Sequence, residues 1–111
     1  HYSFGACATS QFEQHVRAIC GLPLGDTSLL CSAVMLNLMG DLWHDGAPAW
    51  SSVLAHPAAR LHLYGKRRAA PGRQMGHILI LGEDVDHADS LAETIAADLA
   101  RGTPQAGCAW T

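Results

Sequence analysis

The stretch RLHLYGKRRAAPGRQMGHILIL, residues 60–81, decides the fold that the sequence predicts. Its two ends, 60–64 and the start of 75–81, alternate polar and apolar side chains, as strands do when one face covers a core. Between them lie Gly65, Pro71 and Gly72, residue types that interrupt strands and form turns. The stretch therefore predicts two strands of a hairpin joined by a long basic loop.

The residues before the hairpin predict a helix followed by a strand. Ser10 and Glu13 form a capping box, in which both side chains satisfy backbone N–H groups at a helix start, and an amphipathic helix is expected over 10–20. Residues 29–39 are almost continuously apolar. This run predicts a buried strand, although periodicity alone does not distinguish it from a buried helix.

Two further helices complete the expected fold. A short helix over 48–55 begins with proline and directs three apolar side chains inward: Trp50, Val53 and Leu54. Asp86 is predicted to cap a last helix that ends at Gly102 and has one apolar face, formed by Leu91, Ala92, Ile95 and Leu99. The order of elements predicts an α+β domain with a small, mainly antiparallel sheet and flanking helices.

Composition limits the chain to one domain and excludes some classes of function. The 111 residues are 49% hydrophobic and carry a formal net charge of −3, so we expect a soluble protein that does not coat nucleic acid. No apolar run has the length of a membrane-spanning helix. The four cysteines show no CxxC pairing and suit buried thiols in a reducing, cytoplasmic setting, with a pair of disulfides as the alternative.

The one cluster of charge lies in the loop of the hairpin. Four of the seven basic residues are there, namely Lys66, Arg67, Arg68 and Arg73. A glycine-bracketed loop can direct cationic side chains and backbone N–H groups at one anion, and arginine matches a phosphate through paired hydrogen bonds. A phosphate monoester is the ligand that this chemistry favours. The alternative is a solvated turn whose charges only keep the protein in solution.

Two histidines flank this loop, His62 on the first predicted strand and His77 on the second. Either imidazole suits a place beside a bound anion or a proton-carrying role near neutral pH, and either also suits a purely structural hydrogen bond. Histidine and cysteine spacing does not match a zinc site, and the sequence contains no Walker, Rossmann or GxSxG motif. No metal ligand and no catalytic residue is therefore assigned.

Read together, the motifs resemble the end of the 5-(carboxyamino)imidazole ribonucleotide synthases, the ATPase subunits of phosphoribosylaminoimidazole carboxylase. The similarity covers about residues 1–85 and rests on five segments in the family's order: ATSQFEQ (8–14), GLPLG (21–25), AVMLNLMGDLW (33–43), YGKR (64–67) and PGRQMGH (71–77). The loop sequence Arg68-Ala69-Ala70 and Cys31-Ser32 depart from the family pattern. These departures leave Lys66 and Arg73 in place.

The resemblance implies a fold, a reaction, and the domain that binds each substrate. It implies the C-terminal domain of an ATP-grasp enzyme, of the rudiment single hybrid motif type. ATP, Mg²⁺ and bicarbonate would be handled mainly by domains upstream, which deliver carbon dioxide to the exocyclic amine of 5-aminoimidazole ribonucleotide in purine biosynthesis. Lys66 and Arg73 would hold the 5′-phosphate of that ribonucleotide. His1, Arg67 and His77 would lie near it.

The resemblance also implies how the chain is divided. It is expected to be a piece of a longer ligase, with residues 1–9 at the seam with the ATP-grasp domain, 10–102 as the C-terminal domain, and 103–111 as an irregular tail. The partners would be the upstream domains and, in one alternative, a second copy in a homodimer. A competing hypothesis from another class is a stand-alone, non-catalytic interaction module.

Overall fold

A computed structural model describes residues 1–101 of the chain. A three-stranded antiparallel sheet lies at its centre, with β1 (Ser32–Met39), β2 (Ala59–Leu63) and β3 (Gln74–Gly82) in the spatial order β1-β3-β2. The predicted end of the last helix at Gly102, the predicted tail 103–111 and Cys108 lie outside the described residues. The predicted α+β architecture with a small antiparallel sheet is confirmed.

Helices cover both faces of this sheet. The described helices are α1 (Ser3–Ala6), α2 (Gln11–Ile19), a 3₁₀ turn (Gly40–Trp43), α3 (Trp50–Leu54) and α4 (Val85–Arg101). On one face α3 and α4 enclose the main core, in which Ile78, Ile80 and Ile95 are almost completely buried. The α1 segment lies on the other face, where Gly5 packs against the Leu79 side chain. None of the described helices is long and apolar enough to cross a bilayer.

The predicted hairpin forms as expected, and its second strand is the centre of the domain. β2 and β3 pair antiparallel with Leu61 opposite Ile78 and His62 opposite His77, while β1 pairs with the other edge of β3. Residues 29–39 were predicted to form a buried strand. The strand is present, but the prediction that it is buried was wrong. β1 is a half-buried edge strand that begins at Ser32. An apolar run does not by itself distinguish an edge strand from a central one.

Three local predictions also need correction. Asp84, not Asp86, caps α4, because its carboxylate accepts a hydrogen bond of 2.7 Å from the backbone N–H of His87. Leu54 is 65% exposed, whereas Trp50 and Val53 do face the core. The thiols within residues 1–101 are free but not buried, since Cys20 is exposed and Cys7 and Cys31 are half-buried.

The helix α2 forms where the capping box predicted it, with the Ser10 hydroxyl accepting from the backbone N–H of Glu13. The Glu13 half of the box is not formed, because the Glu13 carboxylate accepts from the Arg17 guanidinium instead. Its apolar side chains are nevertheless not covered within the described chain. Phe12, Val16 and Ile19 lie on one side of the helix and are 47%, 58% and 71% exposed. Phe4 continues this side, with its ring 5.9 Å from that of Phe12. We call these four residues the N-terminal apolar surface.

Candidate functional site

The residues that join β2 to β3 form a folded loop, which we call the basic loop (64–73). Ala70-Pro71-Gly72-Arg73 closes as a β-turn, in which the N–H of Arg73 donates to the carbonyl of Ala70 at 3.0 Å. Gly72 has φ +73°, the left-handed conformation that this turn position requires and that glycine adopts without strain. Gly65 has φ +68° at the other end of the loop. Sequence-local turn chemistry therefore fixes both ends of the basic loop.

The basic loop is also held against the end of β1. The Asp41 carboxylate accepts a hydrogen bond of 2.9 Å from the N–H of Gly72, and the N–H of Gly40 donates to the Arg73 carbonyl at 2.7 Å. Gly40 is needed at this contact, because a Cβ there would lie 2.6 Å from the backbone nitrogen of Ala70. Asp41 and Gly40 were not predicted from the sequence as supports of the loop. They act over about thirty residues of sequence, beyond the reach of local patterns.

Lys66 and Arg73, the two predicted phosphate ligands, both belong to the basic loop, and each donates a hydrogen bond to a backbone carbonyl. The Lys66 ammonium donates a hydrogen bond of 2.6 Å to the carbonyl of Gln74, the residue that directly follows Arg73. One guanidinium nitrogen of Arg73 donates to the carbonyl of Arg68 at 3.1 Å. Neither cation has an acidic partner within the part of the chain that the structure describes. Both retain N–H groups for an anion.

The other predicted site residues divide into two groups. His1 and His77 come together beside the basic loop, with ring centroids 5.3 Å apart. Arg67 and Arg68 are exposed, and their side chains make no hydrogen bond or ion pair to other described residues. The structure therefore brings His1 and His77 together, leaves the Arg67 side chain exposed, and places the Arg73 guanidinium against the Arg68 carbonyl. The role of each residue stays a prediction.

Tyr64 joins the two histidines and was not singled out in the sequence. Its hydroxyl lies 2.7 Å from Nδ1 of His77 and 3.1 Å from Nδ1 of His1. The Gln74 side-chain amide donates to the same oxygen at 3.4 Å and to Oδ1 of Asn37 at 2.8 Å. Asn37 is exposed, so its amide belongs to this polar group rather than to the core. These contacts define the Tyr64 network.

His77 is the most deeply placed member of the Tyr64 network. It is 5% exposed and stacks on His62, with ring centroids 4.6 Å apart. Burial lowers the pKa of His77 from 6.5, and the charge of His62 lowers it further. Burial also raises the pKa of Tyr64. At neutral pH both groups are therefore uncharged.

We expect the folded chain to lose stability as the pH falls below about 6.5, the ordinary pKa of histidine. Between that value and the lower pKa of folded His77, the unfolded chain binds more protons than the folded chain. The free energy of unfolding must then rise with pH in this window. Urea unfolding at a series of pH values measures the slope. His77→Gln should flatten the slope, whereas the exposed His15→Gln should keep it; an unchanged slope in His77→Gln contradicts the assignment.

The chain is similar to known proteins of one family. Residues 33–91 match the family model described as phosphoribosylaminoimidazole carboxylase C-terminal domain. N5-carboxyaminoimidazole ribonucleotide synthase from Bacillus subtilis is 44% identical over 86 residues, which are 78% of this chain and 22% of that protein. Phosphoribosylaminoimidazole carboxylase from Schizosaccharomyces pombe is 42% identical over 93 residues, 75% of this chain and 16% of that protein. The chain thus spans about a fifth of the curated relatives that it matches.

Solved structures resemble the same part of the chain. N5-carboxyaminoimidazole ribonucleotide synthetase from Thermotoga maritima has a TM-score of 0.78 at 43% identity, over 89% of this chain and 28% of that one. The synthase from Aspergillus clavatus, solved with ADP and 5-aminoimidazole ribonucleotide, has a TM-score of 0.77 at 34% identity, over 91% of this chain and 28% of that one. The fold and the sequence motifs therefore identify the same relatives.

Proposed function

This chain belongs to the phosphoribosylaminoimidazole carboxylase C-terminal domain family, and from that premise we propose that it is the ribonucleotide-gripping part of an ATP-dependent ligase. The ligase carboxylates 5-aminoimidazole ribonucleotide with bicarbonate, forming a new C–N bond in purine biosynthesis. Family membership confirms the resemblance read from the ordered motifs. The activity belongs to a longer protein, in which this chain supplies one wall of the active site and is inactive alone.

The basic loop is the observation that carries this proposal. A ribonucleotide 5′-phosphate is a compact dianion with three acceptor oxygens, and Lys66 and Arg73 are two cations of one loop without acidic partners among the described residues. The turn at Gly72 and the Asp41 contact hold the loop in shape before a ligand arrives, which reduces the entropy lost on binding. The relative from Aspergillus clavatus was solved with 5-aminoimidazole ribonucleotide. In this chain, Lys66 and Arg73 are the proposed ligands of the ribonucleotide 5′-phosphate.

ATP, Mg²⁺ and bicarbonate are assigned to the domains upstream of this chain. Relatives solved with ADP or ATP are several times longer than the chain, which covers 26% and 27% of two of them. In this division the upstream domains activate bicarbonate and the basic loop holds the acceptor ribonucleotide. The site of action is the cytoplasm, where purine precursors and ATP are both present. His1 and His77 lie near the substrate, and Arg67 adds positive charge at the rim.

The N-terminal apolar surface is the proposed contact with those upstream domains. Phe4, Phe12, Val16 and Ile19 are all at least 47% exposed, although an amphipathic helix normally buries its apolar side. An exposed apolar patch of this kind is typical of a protein or domain interface. Residues 1–9 form the seam, and 10–102 form the C-terminal domain.

The same surface is the observation that favours the second candidate, a non-catalytic interaction module. In that case the apolar side of α2 would bind a separate protein, and the basic loop would have no ribonucleotide to hold. Trp43 and Trp50 do not contribute to such a surface, because Trp50 is buried in the core and Trp43 packs against it. The two candidates differ in whether joining the chain to its upstream polypeptide produces ATP turnover.

We expect ATP turnover only when the chain is joined to its native upstream sequence. The test measures ADP release with magnesium ATP, bicarbonate and 5-aminoimidazole ribonucleotide, for the chain alone and for the joined protein. Omitting the ribonucleotide from the joined protein is the matched control for uncoupled ATP hydrolysis. Turnover by the isolated chain would show that the ATP chemistry is wrongly placed. No turnover by either protein would favour the interaction module.

A further inference from the structure

Two side-chain amides beside the basic loop have no role in the phosphate binding proposed above. The Gln74 amide is bonded to that of Asn37 at 2.8 Å, across the paired strands β1 and β3. Asn37 is exposed and Gln74 is half-buried, although most other residues of these two strands are apolar. We call Asn37 and Gln74 the amide pair.

An irregularity in the sheet brings the amide pair together. Ile78 points into the main core, and regular alternation along β3 would place Gln74 on that face too. Asn37 lies on the opposite face, because its neighbour Leu38 belongs to the core. The register between β1 and β3 shifts by one residue directly after Leu38. Such a bulge re-aims a side chain, and here it turns that of Gln74 toward Asn37.

The amide pair has hydrogen-bonding groups that no other described residue uses. The bond between the two amides takes up one N–H and one carbonyl oxygen, and the Tyr64 hydroxyl is the only other partner within residues 1–101. If Gln74 donates to Asn37, the Asn37 amino group and the Gln74 oxygen stay free. If both amides are reversed, the Gln74 amino group and the Asn37 oxygen stay free. In either orientation the pair therefore offers one donor group and one acceptor.

The amide pair lies directly beside one of the two proposed phosphate ligands. The backbone carbonyl of Gln74 accepts the hydrogen bond of 2.6 Å from the Lys66 ammonium. The same ammonium is 5.6 Å from the centroid of the Tyr64 ring, and the Tyr64 hydroxyl is 3.4 Å from the Gln74 amide nitrogen. A phosphate bound by Lys66 would therefore have the amide pair as a neighbour. In a ribonucleotide the part that is joined to the phosphate is the sugar, and the base lies beyond it.

We propose that the amide pair binds the 2′- and 3′-hydroxyls of the ribonucleotide and makes the site selective for ribose over 2-deoxyribose. This inference rests on the proposed function for the place of the phosphate, and it adds the recognition of the sugar. Each hydroxyl both donates and accepts, so two neighbouring hydroxyls match one donor group and one acceptor in either orientation of the amides. An imidazole base has fixed donors and acceptors and lies farther from the phosphate.

Isothermal titration calorimetry of the full-length enzyme tests this selectivity with two sugar phosphates that lack a base, ribose 5-phosphate and 2-deoxyribose 5-phosphate. One neutral hydrogen bond changes an affinity by about 3- to 10-fold, so the wild type should bind ribose 5-phosphate more tightly by about that factor. Asn37→Ala and Gln74→Ala should each reduce the ratio to less than about twofold, because either change leaves the remaining amide without the partner that orients it. Gln11→Ala removes an exposed amide that bonds Ser3 and should keep the wild-type ratio.

Three results would overturn the inference. The first is a wild-type enzyme that binds no ribose 5-phosphate or prefers it by less than about twofold. The second is an equal loss of affinity for both sugar phosphates in the variants, because a purely structural pair does not distinguish the sugars. The third is weaker binding of 5-aminoimidazole ribonucleotide by variants that keep the ratio, which would mean that the pair binds the base.

The proposed function is decided by a separate measurement. An enzyme that selects ribose 5-phosphate through the amide pair but shows no ligase activity would refute the proposed function and support the inference. A ligase whose amide-pair variants keep the wild-type ratio would refute the inference and leave the proposed function in place.

Discussion

Replacing Lys66 or Arg73 with alanine should weaken binding of 5-aminoimidazole ribonucleotide to the full-length enzyme by at least about tenfold for each residue. A hydrogen bond to a charged group contributes about 1.5 to 3 kcal/mol, and about 1.4 kcal/mol corresponds to a tenfold change in affinity. Both side chains are exposed in the described chain and lack acidic partners, so the phosphate would supply their counter-charge. Isothermal titration calorimetry with the ribonucleotide measures the effect.

Two further variants test whether binding depends on the planar donors of Arg73 and on the position of the charge, rather than on positive charge alone. Arg73→Lys keeps the charge but loses the planar pair of donors, so its affinity should lie between those of the wild type and Arg73→Ala. Arg60→Ala removes an exposed charge on β2 outside the basic loop and should leave affinity unchanged. Because Lys66 and Arg73 would bind one phosphate, the double variant is not expected to show the sum of the single effects. Affinities within twofold of wild type for both alanine variants would refute the phosphate assignment.

Gly40→Ala should displace the basic loop and reduce both stability and ribonucleotide affinity. The added Cβ would lie 2.6 Å from the backbone nitrogen and 2.8 Å from the carbonyl carbon of Ala70. Backbone atoms do not rotate away as a side chain does, so the loop or the end of β1 must move. Overpacking of this kind typically costs about 1 to 3 kcal/mol of stability. Urea unfolding measures that cost, and calorimetric titration measures the loss of affinity.

Gly21→Ala is the matched control for this variant. Gly21 has φ +65° and no atom near the position of an added Cβ, so alanine there costs only the left-handed strain, about 1 to 2 kcal/mol. That variant should lose stability while binding the ribonucleotide normally. Ala70→Gly should not rescue Gly40→Ala, because the clash is with the Ala70 backbone. Normal affinity in Gly40→Ala would mean that the docking of the loop on β1 does not shape the site.

The local parts of the fold were predictable because their causes are local. The capping box at Ser10 gave α2, and alternation on either side of Gly65 and Gly72 gave the β2 and β3 hairpin. Burial was harder to predict. The run 29–39 is almost continuously apolar, yet it forms the edge strand β1. The central strand is β3, which lies between β1 and β2. Which strand becomes central depends on pairing with both neighbours, and the sequence of one strand does not contain that information.

The candidate site also has features that the sequence predicts and features that only the tertiary structure shows. By itself the sequence predicted the basic loop and its proposed phosphate ligands and identified the family, since these depend on residue types at short, fixed spacings. Only the tertiary structure decided that Asp41 and Gly40 hold the loop, and that Tyr64 lies between His1 and His77. The reason is physical: hydrogen bonds across 31 or 63 residues form when the sheet brings distant segments together, and strand pairing sets that geometry.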